Sequence, residues 1–161
     1  MEFNPMKLFE KLIDWLAAAP LLILLALFNV AVVMRYWLHQ PLQWTEEISG
    51  LLMIWIIMLG SVAAERDNQH LAIPMLVEIL PEKIREVINS IISILSGLFL
   101  LYVSYAGYKL SVAAQFKVTD VLRISYYWID IAVPVGFVII ALYMFTGAFK
   151  SLRAAFAGGK A

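Results

Sequence analysis

Four long apolar stretches, each closed off by polar or charged residues, dominate the chain and predict membrane-spanning helices at about 16–38, 46–64, 87–112 and 126–149. The second is the most sharply delimited. Glu46 and Glu47 open it, Glu65, Arg66 and Asp67 close it, and no ionisable side chain falls between Ile48 and Ala64. Barrel strands would instead alternate polar and apolar residues in segments of about ten, so spanning helices are the reading these runs favour. Little sequence remains for a soluble domain. The expected architecture is a single all-α integral membrane domain, residues 1–161, of four transmembrane helices with short amphipathic in-plane segments.

Two stretches have the in-plane character. Between the second and third spans, HLAIPMLVEILPEKIRE places Leu71, Ile73, Leu76, Ile79 and Leu80 at near-helical spacing, with Pro74 suited to a first helical position. It is too short to cross before Pro81 and the charged Glu82-Lys83 pair. The N-terminal run from Met6 to Ile13 is similar.

The connection between the first two spans carries the densest polar signal. Pro41 breaks the chain, Thr45 is an expected N-cap, and Glu46 and Glu47 then fall in the first turn, where the helix dipole favours anions. Arg35, near the end of the preceding helix, is favoured by the same dipole logic, and a hairpin should bring these opposite charges together. Tyr36, Trp37 and Trp44 surround this hairpin, Trp15 marks the far end of the first span, and Tyr126, Tyr127 and Trp128 begin the fourth. Aromatic belts alone would account for them, and capping alone for the acids.

Inside the spans, polar residues are few. The third carries small residues seven apart, Ser90, Gly97, Ser104 and Ser111, a stripe that lets another helix approach closely in lipid. Asn29 is mid-span in the first helix and needs a hydrogen-bond partner. Asp130 lies about a turn into the fourth, within expected reach of Arg123, Lys109 or a cation of a partner. Pro134 with Gly136 should kink the fourth helix.

Composition adds class and orientation. Hydrophobic residues make up 63% of the 161 and charged residues 15%, with a mean hydropathy of +0.84, an integral membrane composition. Eight basic residues, Lys7, Lys11, Arg66, Lys83, Arg85, Lys150, Arg153 and Lys160, fall on one side. Arg35, Lys109, Lys117 and Arg123 fall on the other, so the positive-inside rule places both termini in the cytoplasm. The small residues Ala17 to Ala19 precede the first apolar run instead of following it, so that run is expected to stay as an anchor. With no cysteine, disulfide and iron–sulfur chemistry are excluded. A net charge of zero suggests no nucleic-acid partner. His39 and His70 fall in loops on opposite faces and cannot share a metal or haem. No cofactor, metal site or catalytic grouping is expected, and the chain does not read as an enzyme.

The order Arg35, Trp44, Glu46-Glu47, Gly60, Ala64, Arg66, His70, Leu80-Pro81 and Val133-Pro134-Val135-Gly136 resembles the small membrane subunit, DctQ-like, of tripartite ATP-independent periplasmic (TRAP) transporters. The likeness runs over nearly the whole chain. Pro74 departs from it, standing where that family commonly has an aspartate. The resemblance implies a bacterial or archaeal secondary transporter, set in the bacterial inner membrane. In it a periplasmic binding protein delivers an organic acid, such as a dicarboxylate or sialic acid, to a large multi-helix subunit that moves it inward with sodium. The small subunit is implied to have no substrate site, to brace the stationary scaffold of the large one among membrane lipids, and to help dock the binding protein transiently.

On that footing Arg35, Trp44, Glu46, Glu47, Arg66, His70, Asp130 and Pro134 become the expected interface or structural residues. Lys117, Asp120 and Arg123 become the expected docking residues. A small oligomeric multidrug exporter is the alternative, yet such carriers use a membrane-embedded glutamate in the first helix, where this chain has only Asn29. A respiratory membrane anchor would call for paired intramembrane histidines if it bound haem.

Overall fold

A computed structural model describes residues 5–67 and 81–157. His70 and the amphipathic 71–80 stretch lie outside the described residues. Four helices are long and apolar enough to cross a bilayer: α1 (Pro5–Tyr36), α2 (Thr45–Arg66), α3 (Glu82–Ala113) and α5 (Ala132–Ala157), the last preceded by a one-turn helix α4 (Tyr127–Asp130). A single turn of 3-10 helix, Ala114–Phe116, follows α3. No strand occurs among the described residues, whose only β pairing is the isolated bridge between Val118 and Ser125.

Several boundaries differ from the sequence expectations for physical reasons. The 6–13 run joins the first span in one uninterrupted helix instead of forming a separate element, and Pro20 sits inside it. A missing amide within a bilayer helix is absorbed by local adjustment. At 32 residues each, α1 and α3 are about 48 Å long. That exceeds the roughly 30 Å hydrocarbon core, so both must tilt or project into the headgroups. Thr45 is not the N-cap: it is the first helical residue, Trp44 takes the cap position, and no side chain caps the helix. The fourth span is interrupted at Ile131, three residues before Pro134. Pro134 has no N–H to give to the carbonyl of Asp130, four residues back, and the chain breaks there.

The packing order differs from the chain order. Helix α1 packs on α2, α2 on α5, and α5 most extensively on α3. The spans therefore stand in a row, α1–α2–α5–α3, one helix thick. Such a row has little interior. Val62, Ala132, Ile140, Ala141 and Ala148 are its buried hydrophobic residues, with Leu100, Phe137, Tyr143 and Met144 among those packed around them.

Small residues set the two central junctions. Between α3 and α5, Ser90 and Ser111 are fully buried and Ser104 nearly so. Ser104 Oγ donates to the Pro134 carbonyl at 2.9 Å, and Ser90 Oγ reaches the carbonyls of Glu86 and Ala148 at 2.8 and 3.2 Å. Ser111 Oγ returns to Gly107 of its own helix. At Gly97 an added Cβ would lie 2.9 Å from the Phe145 ring. Between α2 and α5, Gly136 plays the corresponding part, since a Cβ there would lie 3.0 Å from Met58 Cβ. The absent side chains let these helices approach closely.

Candidate interface site

The 37–44 and 114–126 connections lie on the same side of the row, because α2 starts beside the second of them: Glu47, in its first turn, bonds to Val121 and Leu122. The first connection leaves α1 through His39, whose φ of 52° turns the chain so that the Gln40 N–H reaches the Met34 carbonyl at 3.0 Å. The second is a short, internally bonded hairpin. Thr119 N–H donates to the Ile124 carbonyl and Tyr126 N–H to the Lys117 carbonyl, both at 2.9 Å. Ile124 N–H donates to Thr119 Oγ1 at 3.0 Å, and Ser125 Oγ donates to the Gln115 carbonyl at 2.7 Å. Arg123 takes φ 57°, a left-handed conformation that costs a non-glycine residue about 1–2 kcal/mol and is held here by the bonds on either side.

Glu47 ties this hairpin to the second span. Its two carboxylate oxygens accept the N–H groups of Val121 and Leu122 at 2.7 and 2.8 Å. Successive amides converging on one anion form a nest, the arrangement proteins use for fixed negative charge. Sequence spacing does not reveal this, because the partners are more than seventy residues away and are main-chain groups. A second tie lies deeper. Trp55 Nε1 donates to the Trp128 carbonyl at 3.1 Å, so α2 is bonded to α4 beside the helix interruption.

The expected charge pairings are corrected. Arg35 does not meet Glu46 or Glu47 in an ion pair among the described residues: its guanidinium sits 5.8 Å from the Tyr36 ring centre, and Glu47 is taken by the hairpin amides. Asp130 is not paired with Arg123 or Lys109. Lys109 sits over Tyr105 at 4.5 Å and Lys117 over Tyr126 at 4.6 Å, cation–π contacts that keep these ammonium groups at the aromatic belt. Lys117, Asp120 and Arg123 are all exposed around the hairpin, together with Phe116, Val121 and Leu122. Trp44 and Glu47 are half-buried and Glu46 is exposed.

At the opposite end of α2, Arg66 Nε donates to Asp67 Oδ1 at 2.8 Å. That hydrogen bond from the guanidinium holds the Asp67 carboxyl below its ordinary value. Glu65 is buried beside it. Among the described residues no three His, Cys, Asp or Glu side chains are grouped to hold a metal ion.

A row of four apolar helices with one pinned connection defines a multi-pass membrane protein whose charged groups lie toward the ends of its spans. The sequence matches the family described as tripartite ATP-independent periplasmic transporters, DctQ component, over residues 22–154, and the chain belongs to it. The family is a membrane component of transporters and not an enzyme. Among similar proteins, the sialic acid TRAP transporter permease protein SiaT of Haemophilus influenzae is 31% identical over 130 residues, 81% of this chain and 21% of that protein. The sialic acid TRAP transporter small permease protein SiaQ of Vibrio cholerae is 28% identical over 139 residues, 84% of this chain and 79% of that one. The ectoine TRAP transporter small permease protein TeaB of Halomonas elongata is 29% identical over 134 residues, 81% and 69% respectively. The chain thus spans about a fifth of the length of SiaT and most of the two small permease proteins.

Proposed function

We propose that this chain is the accessory small permease subunit of a sodium-coupled TRAP transporter for an organic acid, of the sialic acid or C4-dicarboxylate type. It braces a large transport subunit as part of its stationary scaffold. It lies in the bacterial inner membrane with both termini cytoplasmic, the orientation its eight-to-four distribution of Lys and Arg favours. The 37–44 and 114–126 connections then face the periplasm. There Lys117, Asp120 and Arg123 help dock the periplasmic binding protein, on a hairpin that Glu47 keeps in one conformation. Arg35, Trp44 and Glu46 flank that platform. Asp130 and Pro134 shape the end of the fourth span, and Arg66 and His70 anchor the cytoplasmic connection.

One observation carries the reading: the spans stand in a row one helix thick, which supports a wall added to another protein better than a carrier enclosing its own path. The exporter alternative gains nothing from the family assignment. Reconstitution tests the proposal. Vesicles holding the chain alone should take up no organic acid. Vesicles holding it with the large permease subunit should do so when the binding protein and a sodium gradient are supplied. Uptake by the large subunit at the same rate without this chain would refute the bracing role.

A further inference from the structure

We propose that the stripe of α1 centred on Asn29 is the surface on which a transmembrane helix of the large permease subunit docks, with a hydrogen-bond donor of that helix meeting Asn29 Oδ1. The inference rests on the accessory-subunit reading and adds to it which edge of the row is covered and by what chemistry.

Helix α1 is the terminal member of the row, and its one extensive contact among the described spans is with α2. Its half-buried positions Pro20, Leu24, Leu27, Ala31 and Met34 recur every three to four residues and form the stripe turned to α2. Leu22, Ala26, Asn29 and Val33 form the opposite stripe, and all four are exposed, Leu22 at 61% and Val33 at 46%. A lipid-facing stripe needs no polar group, yet this one carries an amide near the middle of the span Ala18–Tyr36. Asn29 Nδ2 donates to the Leu25 carbonyl at 2.7 Å. Its Oδ1 takes no hydrogen bond among the described residues. Hydrocarbon offers no donor, so leaving that oxygen against lipid is costly, and amides at such depth characteristically bond across to a neighbouring helix. Ala26, one turn away, leaves room for the neighbour's backbone.

The occupant follows from the relatives. In SiaT the matched segment is 21% of one permease polypeptide, so in that protein a segment like this one shares its chain with a much larger remainder of the permease. A helix of a large permease subunit is therefore the partner chosen here over a second copy of this chain.

The test uses the full chain co-expressed with its large permease subunit. A photo-crosslinking benzoylphenylalanine is placed at position 22 or 33 on the stripe, and at position 95 or 102 on the exposed side of α3 for comparison. Adducts with the large subunit from 22 and 33 support the proposal. If the two subunits co-purify but 22 and 33 yield only lipid adducts or a dimer of this chain, the proposal fails while the accessory-subunit reading stands. Failure to co-purify at all overturns both. As a second measurement, Asn29→Leu should weaken association of the two subunits in detergent roughly three- to twenty-fold, the worth of one interhelical hydrogen bond. Asn29→Gln should restore much of it, and both variants should melt as the wild type does when the chain is alone. Unchanged association of Asn29→Leu would overturn the proposal.

Discussion

Replacing Gly136 by alanine should loosen the joint that unites the two halves of the row. The pair α1–α2 meets the pair α5–α3 mainly where α2 packs on α5. At Gly136 a new Cβ would lie 3.0 Å from both Met58 Cβ and Met58 Sδ, where ordinary contact is 3.4–4 Å. The sulfur can swing aside, but Met58 Cβ is fixed to its backbone, so α2 must shift by several tenths of an ångström along with everything it carries. Overpacking of this kind costs about 1–3 kcal/mol. A glycine-to-alanine change in a helix also returns up to about 1 kcal/mol of propensity, which hides part of the loss. Gly60→Ala supplies the reference, because nothing lies within 4 Å of a Cβ there and it gains the propensity without the clash. The two variants should differ by about 1–3 kcal/mol, roughly 2–10 °C in melting temperature for a chain of this size, read by tryptophan fluorescence in mild detergent. Gly97→Ala should fall between them, since the Phe145 ring that it meets can move. Equal melting of Gly136→Ala and Gly60→Ala would refute the packing argument.

Three further outcomes are expected. Ser104→Ala should cost about 0.6–1.7 kcal/mol, one buried interhelical hydrogen bond, whereas Ser111→Ala, whose hydroxyl bonds within its own helix, should change the melting temperature little. Glu47→Gln keeps one acceptor oxygen for two main-chain donors, so hydrogen–deuterium exchange should become several-fold faster at Val121 and Leu122 while protection of α2 is unchanged; equal protection of the hairpin would remove Glu47 as its anchor. Asp67 has a depressed folded-state pKa, so its contribution to stability is present above the unfolded value and is lost only as pH falls through the folded one, below its ordinary 3.8. Wild type and Asp67→Asn should therefore differ by the same small amount from pH 7 to about 5 and converge only in strong acid, measured as melting temperature against pH.

The order of apolar runs and charged boundaries determined the helix content and the number of spans, because in a bilayer the length of an apolar run and the need to satisfy every backbone group leave few solutions. Residue order also carried the family resemblance, since Glu46-Glu47, Arg66 and Val133-Pro134-Val135-Gly136 are recognisable without coordinates. The stripe Ser90, Gly97, Ser104 and Ser111 was legible as a packing face because one helix fixes its register. Which helix it would meet was not legible, as any small-residue face accepts any neighbour.

Tertiary structure decided what depends on two distant segments at once. It placed α5 between α2 and α3 and left α1 at the edge of the row. It also gave Glu47 to the amides of Val121 and Leu122 instead of to Arg35. Opposite charges near one hairpin look paired in sequence, but a carboxylate that can take two convergent main-chain donors is better satisfied than one reaching a flexible, well-hydrated guanidinium at the membrane surface. Main-chain donors have no residue signature, so that tie exists only once the chain has folded.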